Sequence, residues 1–182
     1  MTATLNQIAG YLENRDWQYD LQIQKFRIVT GVIGDNIDPL AITITLKEDG
    51  KYLELSAPQI MFVNDRTYQT ALQQTLMEIS AENKMLCWAY DWMDGKISAS
   101  IALPLEDSLL TEQQFDRCLN SLIYIVDMIA MPRIKALLSI GIDWEQKEFG
   151  EQLLLMLQDV LPGSLSLLEN ALTARKYRGM VS

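Results

Sequence analysis

Two runs of alternating apolar residues, each split by an Asp-Gly pair, constrain what this chain can fold into more than any other feature. In the first, Ile42, Ile44 and Leu46 alternate with threonines, and Leu53, Leu55 and Ala57 resume the alternation beyond Glu48-Asp49-Gly50. In the second, Leu86, Trp88, Tyr90 and Trp92 are followed, past Asp94-Gly95, by Ile97, Ala99, Ile101 and Leu103. Successive side chains of a strand point to opposite faces, so each arm has one apolar face, and Asp-Gly readily takes the positive φ of a tight hairpin turn. The runs therefore predict two antiparallel hairpins, closed by Pro58 and Pro104, whose apolar face another layer must cover. Upstream, Tyr19, Leu21 and Ile23 alternate and the phase then slips to Phe26 and Ile28, which predicts one long strand bent at a bulge. Gly31, Gly34, Asp35, Asn36 and Pro39 break the pattern before the first hairpin.

Helical periodicity occupies the rest of the chain. Leu5, Ile8, Ala9 and Leu12 share one helical face behind a Thr4 cap with Gln7 three residues on, the spacing of a capping box. Tyr68, Ala71, Leu72, Thr75, Leu76 and Ile79 mark a second helix, starting near Asn64 or Asp65, whose stripe faces the sheet. A second capping box, Thr111 with Gln114, precedes Phe115, Cys118, Leu119, Leu122, Val126 and Ile129 in a long third helix. From Leu119 to Met131 only Asn120, Ser121 and Asp127 are polar, so more than one stripe is hydrophobic and a sheet alone cannot cover it. The expected cover is the C-terminal helices or a second copy of the chain. Pro132 kinks or restarts this helix, which ends near Gly141. Asp143-Trp144-Glu145-Gln146 caps a helix to about Leu161, Pro162-Gly163 interrupts it, and Ser164 caps a last helix ending in Arg175-Lys176-Tyr177-Arg178. The predicted fold is α+β: an antiparallel five-stranded sheet in the order α-β-β-β-α-β-β-α with two additional C-terminal helices. Residues 1–182 are read as a single domain, with 141–178 as a helical extension.

Composition narrows the function. The 182 residues are 49% apolar and 21% charged, enough to bury a full core. The net charge of −9 makes the average surface repel phosphate backbones and anionic headgroups, so neither nucleic acid nor membrane is an expected partner. Met1 to Gly10 has no basic segment followed by an apolar run, and the most apolar stretch is too short to span a bilayer, so the expected location is cytoplasmic. Cys87 and Cys118 lie outside any paired motif, as in a reducing compartment, and read as small core residues. Histidine is absent, which removes imidazole general bases and the commonest ligand of transition-metal sites. Ser-His-Asp, Cys-His and zinc-hydrolase mechanisms are excluded with it. No enzymatic activity and no cofactor are expected, and chemistry is left only to carboxylate-held Mg or Ca, or to a Lys, Tyr or Cys without imidazole.

The run from Ile42 to Ile60, Ile-Thr-Ile-Thr-Leu-Lys-Glu-Asp-Gly-Lys-Tyr-Leu-Glu-Leu-Ser-Ala-Pro-Gln-Ile, closely resembles the central hairpin of YbjN-type bacterial domains, the sensory transduction regulators. So does the stretch from Asp94-Gly95 through Leu103-Pro104-Leu105 into Leu110-Thr111-Glu112-Gln113-Gln114-Phe115. The resemblance covers about residues 4–138. It implies a fold similar to that of type III secretion chaperones, and a homodimer that holds client segments against hydrophobic surface. The two helices after Gly141 exceed that pattern and cover, on this reading, the surface such a protein would use. The matched motifs are turns, strand ends and a cap, so they carry no catalytic residue.

Several motifs have a sharp and a plain reading. Trp88, Tyr90 and Trp92 form an aromatic row that would receive a peptide strand or flat ligand, or else pack beneath a helix. Arg175, Lys176 and Arg178 would touch an acidic partner or nucleic acid, or simply complement a helix dipole, which is the plainer account. Asp35, Asn36 and Asp38 offer oxygens to a hard cation but lack the spacing of an EF-hand, so loop chemistry accounts for them. Gly31-Val32-Ile33-Gly34 has the spacing of a KH clamp without basic neighbours and reads as a turn. The sequence thus favours a non-enzymatic protein-interaction module, chaperone-like or regulatory, that binds a client protein through hydrophobic surface. Candidate partner-binding residues are Trp88, Tyr90 and Trp92; candidate self-association residues for a homodimer are Leu122, Tyr124, Ile125 and Met128. The alternative is a small-ligand-binding regulatory domain with a pocket at Trp88, Trp92 and Trp144. A third reading is a carboxylate enzyme using a divalent cation.

Overall fold

The structure is a computed structural model that describes residues 3–106, 108–140, 144–160 and 163–179. The chain divides into two compact units, Met1–Gly141 and Ile142–Ser182. In the first, α1 (Leu5–Glu13) precedes the strands β1 (Tyr19–Gln22), β2 (Arg27–Val32), β3 (Leu40–Lys47) and β4 (Tyr52–Phe62). Next come α2 (Gln69–Glu82), the hairpin β5 (Cys87–Asp91) and β6 (Lys96–Pro104), α3 (Glu112–Tyr124), a π-helical segment (Ile125–Ala130) and α4 (Met131–Ile140).

The sheet is antiparallel with six strands in the order β1-β2-β3-β4-β6-β5, not five. The residues read as one bent strand form two. Ile23–Lys25 makes a short 3₁₀ turn, Phe26 takes a left-handed conformation at φ 50°, and β2 then runs back along β1, with Tyr19 opposite Thr30 and Gln22 opposite Arg27. The phase slip between Ile23 and Phe26 is this turn rather than a bulge. Ile-Gln-Lys-Phe contains no Gly, Pro, Asn or Asp, so the reversal carries none of the usual turn chemistry.

Both hairpin turns lie where the alternation places them, but Pro58 does not close the first hairpin: β4 continues through it to Phe62, and its register against β6 shifts between Ala57 and Met61, an irregularity that accommodates a residue with no N–H for the ladder. Leu40, Ile42, Ile44 and Leu46 of β3, Leu53, Leu55 and Ala57 of β4, and Ile97, Ala99 and Ile101 of β6 are all buried on one face. Each fully buried Leu or Ile side chain contributes roughly 1.5–3 kcal/mol by leaving water. Gly50 and Gly95 hold positive φ at the two turns. At Gly95 a Cβ would stand 2.6 Å from Asn64 Oδ1, because Val63 donates its backbone N–H to the Gly95 carbonyl at 2.7 Å and brings the turn against that segment.

The helices cover the apolar face with the residues their periodicity selects: Ile8, Ala9 and Leu12 from α1, Leu72, Thr75, Leu76 and Ile79 from α2, Phe115, Cys118, Leu119 and Leu122 from α3. Thr111 and Gln114 form a complete capping box. Thr4 forms only half of one. Its hydroxyl accepts from Gln7 N at 3.2 Å, while the Gln7 amide donates to the Leu110 carbonyl at 2.8 Å and so ties α1 to the entry of α3. Asp65 caps a 3₁₀ turn, Arg66–Tyr68, ahead of α2.

The doubly apolar stretch of the third helix is covered mostly within this unit. Ile125, Val126, Ala130, Met131, Ile134 and Leu137 are buried, and the helix packs against α1, α2, β4 and β6. The π-helical turn ends two residues before Pro132, which has no N–H for the helical ladder and clashes with the preceding turn in a regular α-helix. Arg133 is almost fully buried and reaches Glu78 Oε2 at 2.8 Å, clamping α4 to α2.

The second unit holds α5 (Trp144–Val160) and α6 (Ser164–Gly179), which pack on each other. Gly163, at φ 93°, takes a left-handed turn before α6. The expected caps and breakers at Asp143, Leu161 and Pro162 lie outside the described residues, as do the side chains of Trp144, Ser164, Lys176, Tyr177 and Arg178.

Candidate interaction surfaces

The aromatic row of β5 separates into two environments. Trp88 lies opposite Ala99 and Tyr90 opposite Ile97, so both point to the helix-covered face, where they are half-buried against the core. The Tyr90 hydroxyl donates to the Val63 carbonyl at 3.2 Å. The indole Nε1 of Trp88 is buried without a hydrogen-bond partner, which costs stability because a desolvated donor loses its bond to water. Trp92 lies beyond the last strand residue, Asp91, in the turn, and is 63% exposed. Its neighbour Met93 is 81% exposed, and Asp91 and Asp94 stiffen the turn by accepting from Met93 N at 2.9 Å and Lys96 N at 3.1 Å. The structure does not gather Trp88, Tyr90 and Trp92 into one exposed site.

β5 is also an edge strand. Its one neighbour is β6, so its outer backbone edge faces no strand among the described residues, and Cys87, Ala89 and Asp91 are exposed on the open face. An open edge offers a row of backbone donors and acceptors to an added strand.

The candidate self-association residues divide in the same way. Leu122 and Ile125 are buried in the core, whereas Tyr124 and Met128 are exposed. Beside them, the buried carboxylate of Asp127 gathers the loop between β2 and β3: it accepts from the backbone N–H groups of Asp35 at 2.9 Å, Asn36 at 2.8 Å and Ile37 at 3.0 Å. That loop, read as a weak cation site, presents backbone donors to a carboxylate. Its Asp and Asn residues suit such a turn because they tolerate irregular backbone.

Of the two cysteines, Cys118 is buried, as expected of a core residue, and Cys87 is exposed. Burial pushes the Cys118 thiol above its ordinary pKa, and the charge of Arg117 opposes this only in part. Among the described residues, no group of three or more His, Cys, Asp or Glu could hold a metal ion, and no helix is long and apolar enough to cross a membrane. The alternative ligand pocket at Trp88, Trp92 and Trp144 rests partly on a side chain outside the described residues.

Sequence reasoning missed Ile23 and Phe26. Both are exposed at the β1–β2 turn instead of pointing inward from a strand. The slip in alternation between them was the signal.

No family model and no curated protein matches the sequence. Among solved structures, the chain is similar to YbjN from E. coli, a transcription-regulator candidate, with a TM-score of 0.53 at 14% identity over 72% of this chain and 91% of that one. It is also similar to the HopA1-SchA chaperone-effector complex (TM-score 0.46, 16% identity, 66% of this chain and 88% of that one). For the ExsC-ExsE complex the values are 0.45, 15%, 71% and 95%. The fold of this chain is therefore YbjN-like.

Proposed function

We propose that this protein is a non-enzymatic protein-interaction module that binds a client through hydrophobic surface at the β5 edge. The observation that carries this reading is the pairing of an open edge strand with Trp92 and Met93, both exposed in the adjoining turn. Backbone groups along an open edge give affinity to an added strand, and exposed aromatic and thioether side chains give it apolar contact. Tyr124 and Met128, exposed on the third helix, form the second apolar surface and the one on which a homodimer would close. The fold likeness to YbjN agrees with a binding rather than a catalytic role but does not specify it, since one fold serves many activities.

The test is size-exclusion chromatography with light scattering on the full chain, compared with Trp92→Ala/Met93→Ser and Tyr124→Ser/Met128→Ser. An oligomer or a stoichiometric co-purifying protein that is lost with one of these surfaces, at unchanged thermal stability, supports the reading. Identical behaviour of all three proteins as bare monomers overturns it.

A further inference from the structure

The second unit has no core of its own. Among its described residues none is buried, and only Gly150, Leu157 and Leu165 are half-buried. α5 and α6 pack on each other across the three-residue connection 161–163, so they form an antiparallel hairpin, and the half-buried residues mark its seam. Helices of this length are marginal in water by themselves, so an apolar face on the pair needs a covering layer.

The hairpin has such a face. At 3.6 residues per turn, Phe149, Leu153 and Met156 lie roughly a quarter of a turn from the seam on α5, and Leu167, Ala171 and Ala174 roughly a third of a turn from it on α6. Both offsets run in the same sense, which in an antiparallel pair brings the two stripes to one side. On the opposite side Glu151, Leu154, Leu155 and Gln158 of α5 line a shallow groove with Leu165. The large side chains of the apolar side range from 47% exposed at Leu153 to 72% at Leu167.

This face carries its own complement. Counting back from the connection, Leu153 stands level with Ala171 and Phe149 with Arg175, so large residues of α5 share their levels with small or cationic ones of α6. Charge divides in the same way: 144–160 holds Glu145, Glu148, Glu151 and Asp159 against Lys147, whereas 164–179 holds Arg175, Lys176 and Arg178 against Glu169. Two copies stacked about a two-fold axis along the helices place α5 over the partner's α6, large residues over small and the acidic helix over the basic one. Stacking α5 on α5 would oppose two acidic helices instead. Each face spans two helices about 25 Å long and about 10 Å across, so a stacked pair buries on the order of 1,000 Å², the size expected of a specific interface.

We propose that the α5–α6 hairpin is a self-association module, whose apolar face is covered by the same hairpin of a second copy of this chain in an antiparallel four-helix bundle. This dimer is distinct from the one that the third helix would close, and it does not rest on client binding at β5.

The experiment is light scattering on the full chain across a dilution series, followed by thiol cross-linking. Wild type should have twice the mass of one chain, and Leu153→Glu/Leu167→Glu should weaken the dimer at least about a hundredfold, because it buries carboxylates in the interface. In a Cys87→Ser background, a mixture of Leu153→Cys and Ala171→Cys chains should be joined by a short bifunctional thiol reagent, while neither variant alone is. Loss of the dimer in the Glu variant without that cross-link overturns the proposal, as does a dimer that survives the Glu variant or one that joins Leu153→Cys chains to each other. A monomeric wild type overturns it too, and a lower Tm for the Glu variant would then show that the chain's own first unit covers this face. If the dimer is lost instead in Tyr124→Ser/Met128→Ser, the hairpin proposal fails and the interaction reading stands.

Discussion

The side chain of Asp127 and the backbone of Asn36 meet at 2.8 Å, deep under the loop that joins β2 to β3. The same carboxylate accepts from Asp35 and Ile37, so one buried group satisfies three backbone donors that would otherwise lack partners in a tight turn. Gly34 permits this closeness. A Cβ there would stand 2.6 Å from Asp127 Cγ and 2.9 Å from the Ile37 carbonyl. The π-helical turn that contains Asp127 aims the carboxylate at the loop, while Tyr124 and Met128 on either side of it remain exposed.

Asp127→Ala should therefore destabilise the protein by about 2–3 kcal/mol, since it strips charge-assisted bonds and leaves donors unsatisfied. Gly34→Ala should destabilise on its own through the clash. The double variant should cost less than the sum, because removing the carboxylate relieves part of that clash. Urea denaturation of the four proteins measures the coupling. Strict additivity would mean that the loop and the helix are held independently.

Trp88→Ala and Trp92→Ala should behave in opposite ways. Trp88 packs against the core, so its truncation should cost about 2–4 kcal/mol, slightly moderated because an unpartnered indole N–H goes with it. Trp92 is largely exposed, and its loss should shift stability by less than about 0.5 kcal/mol. Thermal unfolding followed by circular dichroism distinguishes the two. Equal destabilisation would place Trp92 in the core and remove it from the proposed surface.

The two thiols should differ in reactivity. Cys87 is exposed and should react with a thiol reagent in the native state, whereas Cys118 should react only after denaturant is added. Because burial raises the Cys118 pKa, the protonated thiol is the form the fold favours. Its contribution to stability is complete below the ordinary thiol value and is lost as pH rises through the raised one. Cys118→Ala should remove that alkaline loss, at the cost of a small cavity. Two fast-reacting thiols per native chain would contradict the burial.

Asp65 provides the acid counterpart. The backbone N–H of Thr67, 2.9 Å from its carboxylate, lowers the Asp65 pKa. This cap contributes above the ordinary carboxylate range and is lost as pH falls through the lowered value. Asp65→Ala should lower Tm at neutral pH, and the difference from wild type should vanish in strong acid. A constant difference across the range would show that the cap does not act through its charge.

Much of this architecture is legible from the sequence. Alternation at 42–57 and 86–103 specified both hairpins and their inward faces, and the Thr111-Gln114 box located the start of the third helix, because these signals arise from backbone geometry that each segment expresses by itself. Other features depended on what came to lie beside each segment in space. Phe26 closes a turn that local composition does not announce, so a sixth strand appears where one bent strand was expected. Trp88 and Trp92 carry the same aromatic chemistry at the same spacing, yet one packs under helices and the other stands in a turn past the strand end. The apolar excess on the third helix implied a covering layer, and α1 and α2, distant in sequence, supply much of it. Sequence by itself determined the helices, the two hairpins and which face of each is apolar, because these follow from periodicity along the chain. Only tertiary structure decided which apolar residues meet core and which meet solvent, because burial depends on neighbours far away in sequence.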